Sequence, residues 1–213
     1  MTGTRTPRGI VPVVAVNSAD EGLRLTDALL AGGIDVIEVT FRTDAAADAI
    51  SAITRARPEM LVGAGTLLST EAVDIAVDGG AAFGVAPGLR PPVVEHAVSR
   101  GWDFVPGVAT ASELELGLSL GLDFFKLFPA EPSGGVALID ALAAPYPSAS
   151  FMPTGGIRPD NVAAYLQRPS VRACGGTWIA SRSLLDDERF DEIARRAADA
   201  VNQQNLSRKE TVR

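Results

Sequence analysis

Lys126 sits where an ammonium group is hardest to solvate, inside the run Phe124-Phe125-Lys126-Leu127-Phe128. The chain has two lysines against seventeen arginines, and the other lysine, Lys209, lies in a polar stretch near the C-terminus. Apolar surroundings disfavour the charged form of a lysine. A neutral amine is a nucleophile, and amine nucleophiles attack carbonyls to give Schiff bases. A second set of chemically able residues, Glu38, Thr40 and Arg42, alternates with apolar Ile37, Val39 and Phe41. On a strand these sets occupy opposite faces. The apolar face packs under helices, so the lysine, glutamate and arginine are expected to point inward and meet. An ion pair between Lys126 and Glu38 that does no chemistry fits the same residues, because structural pairs also perturb ionisation. Periodicity leaves these two readings side by side.

The elements that must position these residues are read from short apolar runs alternating with longer amphipathic ones. Strands are expected at 11–16, 36–41, 61–64, 82–85, 104–105, 124–128, 150–152 and 173–177. Helices are expected at 18–32, 44–57, 70–79, 91–100, 111–120, 135–143, 160–168 and 187–203. Ser18 with Glu21 reads as a capping box, and Asp44 as an N-cap. Repeated strand–helix units imply a parallel sheet with covering helices, and eight of them suffice to close a (β/α)8 TIM barrel. An open doubly wound sheet would want a Gly-rich turn after the first strand. Here Asn17-Ser18-Ala19-Asp20 follows instead. The expectation is therefore a single barrel domain over 10–201, with an N-terminal segment 1–9 and a polar, frayed tail at 202–213.

Active sites of such barrels lie at the C-terminal strand ends, and the loops after the seventh and eighth strands often hold phosphate. Thr154-Gly155-Gly156-Ile157 and Gly175-Gly176-Thr177-Trp178 fall in those two places. Glycines there let backbone N–H groups approach an anion. Thr66 and Thr154 end their strands and are expected at the mouth.

Composition narrows the partners. At 46% hydrophobic and 21% charged the chain is an ordinary globular one, and its net charge of −7 argues against nucleic acid. The single cysteine, Cys174, forbids an internal disulfide and suits a reducing cytoplasm. The N-terminal stretch has no apolar core of a signal peptide, and the apolar run 10–16 is too short to span a bilayer, so no membrane partner is expected. No cluster of His, Cys and carboxylates stands at ligand spacing, so neither a metal nor another cofactor is expected. His96 reads as a helix-surface residue, and Glu131 is given no chemistry.

Taken in order, the segments IVPVV (10–14), GGIDVIEVTFRT (32–43), VGAGT (62–66), APGL (86–89), VPGVAT (105–110), FKLFPAE (125–131), PTGGI (153–157) and GGTW (175–178) resemble the 2-keto-3-deoxy-6-phosphogluconate (KDPG) aldolase family, the class I group that also cleaves 4-hydroxy-2-oxoglutarate (KHG). The resemblance implies a Schiff-base lyase of the Entner-Doudoroff pathway, with Lys126 as the covalent lysine and Glu38 as general acid/base. It implies that Arg42 and Thr66 hold the pyruvate carboxylate and that Pro87 and Phe128 line its pocket. Thr154, Gly155 and Gly156, with Gly175, Gly176 and Thr177, would lie at the sugar and phosphate end. Thr177 stands where a serine is common, and Ala15-Val16 where some relatives carry an arginine. A homotrimer acting on small phosphorylated keto acids is implied as well. The rival readings are another phosphate-binding barrel of the epimerase or thiamine-phosphate synthase type, or a non-catalytic sugar-phosphate-binding barrel. The first would want metal ligands or a pyrophosphate site rather than an apolar inward lysine. The second is not separated by fold alone.

Overall fold

The computed structural model describes residues 6–211, with side chains as far as Ser207. Strands and helices alternate from the start: β1 (Gly9–Val14), α1 (Ala19–Ala31), β2 (Val36–Thr40), α2 (Ala46–Ala56), β3 (Leu61–Gly65), α3 (Thr70–Asp78), β4 (Phe83–Val85) and α4 (Pro91–Ser99). There follow β5 (Asp103–Val105), β6 (Gly107–Val108), α5 (Ala111–Ser119), β7 (Phe124–Leu127), α6 (Gly135–Ala143), β8 (Ser150–Pro153), α7 (Val162–Leu166), β9 (Ala173–Gly176), α8 (Arg182–Asp186) and α9 (Phe190–Thr211).

Six strands form one parallel sheet in the order β5-β4-β3-β2-β1-β9, and three form another in the order β6-β7-β8. Isolated parallel bridges, Phe151 with Val171 and Thr154 with Gly175, connect β8 to the β9 side. On the other flank the chain runs directly from β5 through Pro106 into β6. The strand expected at 104–105 is β5, and an unforeseen two-residue strand, β6, follows it across the proline. Proline has no N–H to give a ladder, and β5 pairs only with β4 while β6 pairs only with β7.

The β2 segment VIEVT is buried at every position, as a parallel strand covered on both faces should be. Leu25 and Leu29 of α1 and Ile50 and Ile53 of α2 are wholly buried where these two helices pack together. Phe125 faces outward, pressed so closely on Gly117 of α5 that a Cβ there would collide with its ring. Its neighbour Lys126 consequently faces the other way.

Three local expectations change. Asp44 does not cap α2, which begins at Ala46 after a tight turn in which the Ala46 N–H donates to the Thr43 carbonyl. The last helix starts at Phe190, and an unforeseen short helix, α8, precedes it. The expected frayed tail is helical as far as Thr211, because it has something to hold. Gln204 Oε1 accepts from the Ile10 N–H at 2.9 Å, Gln203 Nε2 donates to the Pro159 carbonyl at 2.5 Å, and Ser207 is buried. The expected segment 1–9 falls partly outside the described residues, and within them Gly9 already belongs to β1.

Candidate active site

Glu38 comes from β2 of the larger sheet and Lys126 from β7 of the smaller one. Their side chains meet in between, with Lys126 Nζ 3.1 Å from Glu38 Oε1 and 3.5 Å from Oε2. Glu38 is 0% exposed and Lys126 5%. These are the only buried charged residues among those described. Two charges that close to each other and that far from water are costly unless paired. The pairing expected from strand alternation is present.

Neighbouring glycines make the room. Glu38 lies level with Gly63 in the β2–β3 register, and the Phe83 ring from β4 fills the space over Gly63. The carboxylate leans over Gly65, where any Cβ would collide with it. Lys126 lies level with Gly107 of β6, and the Pro87 carbonyl rests against that glycine. The Phe128 ring centroid is 5.5 Å from Lys126 Nζ, close enough for a cation–π contact. Thr66 follows β3 with φ of 63°, a left-handed conformation that is strained for a β-branched residue.

Thr154-Gly155-Gly156 is stitched to the segment after Lys126. The Thr154 N–H donates to the Leu127 carbonyl at 3.0 Å, the Ala130 N–H to the Thr154 carbonyl at 2.8 Å, and the Glu131 N–H to the Gly155 carbonyl at 3.0 Å. Gly155 and Gly156 have φ of 98° and 83°, which lets the turn fold flat against Pro129 and Glu131. Across the seam, the Thr154 hydroxyl lies where a Cβ of Gly175 would be, and the Trp178 indole covers Gly176.

Arg42 and Thr177 share a cleft of about 260 Å³ with Val14, Thr40, Ser181 and Arg182. Thr40 Oγ1 donates to the Val14 carbonyl at 2.8 Å, fixing β2 to β1 beneath it. Pro87 is not in this cleft; it lines another of about 340 Å³ with Leu67 and Arg90. Sequence reading had given no part to Gly65 or Arg182. The glycine between Ala64 and Thr66 was a signal for the first. The second had none, because nothing in the sequence says that an arginine on α8 reaches the end of β1.

His96, Cys174 and Glu131, given no chemistry above, have structural partners or burial of their own. His96 Nε2 bonds Asp74 Oδ1 at 2.9 Å between α4 and α3. Cys174 is buried in β9, and burial pushes its thiol far above the ordinary range. Glu131 accepts from the Tyr165 hydroxyl, and burial first and this bond second push the phenol up. Among the described residues no group of three or more His, Cys, Asp or Glu could hold a metal ion. Nor is any described helix long and apolar enough to cross a membrane.

Known proteins resemble this chain over most of its length. A family profile described as "Aldolase: KDPG and KHG aldolase" matches residues 4–196. The 2-dehydro-3-deoxy-phosphogluconate aldolase of Haemophilus influenzae is 42% identical over 193 residues, 91% of each chain. The KHG/KDPG aldolase of Escherichia coli K12 is 42% identical over 192 residues, 90% of each. A crystal structure of KDPG aldolase from Legionella pneumophila, with pyruvate captured as a covalent carbinolamine, superposes with a TM-score of 0.89 at 33% identity, covering 92% of this chain and 96% of that one. With its buried lysine–glutamate pair set between parallel strands and its sequence matched nearly end to end, the chain belongs to the KDPG and KHG aldolase family.

Proposed function

We propose that this protein is a class I aldolase that cleaves 2-keto-3-deoxy-6-phosphogluconate to pyruvate and glyceraldehyde 3-phosphate, and 4-hydroxy-2-oxoglutarate to pyruvate and glyoxylate. The observation that carries this reading is the 3.1 Å contact between Lys126 Nζ and Glu38 Oε1 in a site shielded from bulk water.

In this reaction Lys126 passes a proton to the paired Glu38 carboxylate to become a free amine, and its lone pair attacks the C2 ketone. Glu38 returns that proton to the carbinolamine hydroxyl, which leaves as water, so that a protonated imine forms as the electron sink and the carboxylate is restored. Glu38 takes the proton of the C4 hydroxyl as the C3–C4 bond breaks, and the bonding pair flows to the imine nitrogen. The aldehyde leaves, and an enamine of pyruvate stays on Lys126. Glu38 returns the proton to C3, water hydrolyses the imine, and the lysine is regenerated. One carboxylate serves both directions because each half-reaction restores it.

Arg42, the cation, and Thr66 hold the keto-acid carboxylate, and Pro87 and Phe128 line the pyruvate pocket. Thr154, Gly155, Gly156, Gly175, Gly176 and Thr177 hold the sugar and phosphate end. The two sheets, bridged at β8–β9 and continuous through Pro106, support a closed (β/α)8 barrel in which β5 and β6 are one interrupted strand. The buried free cysteine suits a cytoplasmic enzyme, and the family resemblance supports a homotrimer.

The test is reduction with borohydride in the presence of pyruvate. A stable adduct on the peptide containing Lys126 is expected, and none in Lys126→Ala. An unlabelled wild-type lysine would overturn the reading.

A further inference from the structure

No side chain at the end of β1 can bind an anion, since Ala15 and Val16 follow Val14. A guanidinium nevertheless arrives there from another element. Arg182, at the start of α8, donates from Nη1 to the Ala15 carbonyl at 3.1 Å. Its Nη2 donates to Glu21 Oε1 at 2.8 Å, and its Nε to Asp186 Oδ1 at 2.8 Å. Glu21 is held in turn, with Oε2 accepting the Asn17 N–H at 2.6 Å. One planar group thus fastens the end of β1, the first turn of α1 and the body of α8. A guanidinium suits this task, because its donors are fixed in a fork. The pairing with Asp186 and then Glu21 keeps Arg182 charged by raising its affinity for the proton.

The end of β1, through Ala15, and α8, through Arg182 and Leu185, line the cleft that holds Arg42 and Thr177. Among the described residues the Arg42 side chain has no hydrogen-bond or ion-pair partner, so it is the cleft's open cation. Arg182 is already engaged, and it neutralises two carboxylates, Glu21 and Asp186, held directly against it, whose charge would otherwise act on the distal anion of a substrate bound beside Thr177. Repulsion grows in proportion to the charge of that anion. A phosphate dianion would feel stranded carboxylates about twice as strongly as a single carboxylate at the same distance.

We propose that Arg182 is a positioning residue that fixes the wall and the charge balance of this cleft, and so favours phosphorylated over unphosphorylated 2-keto acids. The proposal rests on the aldolase reading above.

Steady-state kinetics with 2-keto-3-deoxy-6-phosphogluconate and with 4-hydroxy-2-oxoglutarate test it. Arg182→Ala raises KM for the phosphorylated substrate by about tenfold, with kcat held within about twofold and a rise of less than about threefold for the other. Arg182→Lys recovers only part of the loss, because the charge returns without the planar fork. Adding Glu21→Gln to Arg182→Ala lowers KM again, since one stranded carboxylate is gone. A role in fold maintenance alone would make that double variant worse. Equal KM rises on both substrates, a fall in kcat alone, or a double variant worse than the single would overturn the proposal. Borohydride trapping with pyruvate keeps the two readings apart. If trapping succeeds and the KM ratio does not move, only the role of Arg182 falls; if wild-type trapping fails, the aldolase reading falls with it. Arg182→Lys decides the matter if Arg182→Ala does not fold, because the lysine keeps the charge but not the three-way fork. A KM ratio in that variant at least partly shifted is expected, and a wild-type ratio with all three acceptors released would sink the idea.

Discussion

Lys126 Nζ and Glu38 Oε1 stand 3.1 Å apart, and this contact joins the smaller sheet to the larger one through the protein interior. Removing either partner alone strands a buried charge, which costs about 3–5 kcal/mol. Lys126→Ala should therefore lose turnover and also unfold at distinctly lower urea. Lys126→Met combined with Glu38→Leu should regain most of the stability with no activity, because an apolar pair of similar volume needs no partner. Glu38→Gln keeps the shape but removes the base, and should slow turnover by about 10²–10⁴-fold with little change in KM. A normal rate in that variant would take Glu38 out of the chemistry.

Gly65→Ala tests the seat of the carboxylate. The added methyl would occupy the space of the Glu38 side chain. Overpacking of this kind costs about 1–3 kcal/mol. The expected result is a folded protein with a modestly lower Tm and a fall in kcat larger than the fall in stability would suggest. Wild-type kcat would mean that Glu38 is not held where the structure puts it.

Thr66→Gly separates stability from binding. A threonine at φ 63° carries strain of roughly 1–2 kcal/mol, which glycine does not. Glycine also gives the unfolded chain more freedom, which offsets part of the gain. Tm should stay at or above the wild-type value, while KM for the keto acid rises with the loss of the hydroxyl. A lower Tm with an unchanged KM would show that the conformation serves packing rather than the ligand.

Glu192 provides a pH-dependent test remote from the site. Bonds from Arg195 first and Arg196 second hold its carboxyl down at about 2, against an ordinary value of 4.5. A depressed carboxylate stabilises the fold fully above its unfolded value and ceases to as pH falls through the folded one. The Tm gap between the wild type and Glu192→Gln should therefore be widest near neutrality and close between pH 4.5 and about 2. A gap that is constant across that range would assign the stabilisation to something other than charge.

Much of this arrangement could be read from local chemistry. The alternation through Glu38, Thr40 and Arg42 identified a face, and the apolar run around Lys126 identified another; the two faces do oppose each other. Strand cores were legible because buried parallel strands are apolar throughout. The break at Pro106 was harder, since a two-residue strand leaves no periodic trace. The tail at 202–211 read as polar and unanchored because its partners, Ile10 and Pro159, are distant in sequence. Arg182 was missed for the same reason. Its three acceptors belong to three segments that only folding brings together.

The bond from the Ile10 amide to Gln204 links residues 194 positions apart in the sequence. During synthesis the opening strand can align with β2 early, yet its other flank waits for β9 and its amide for a residue made 194 positions later. Until that stretch has been made, β1 lacks the strand that covers one of its two sides.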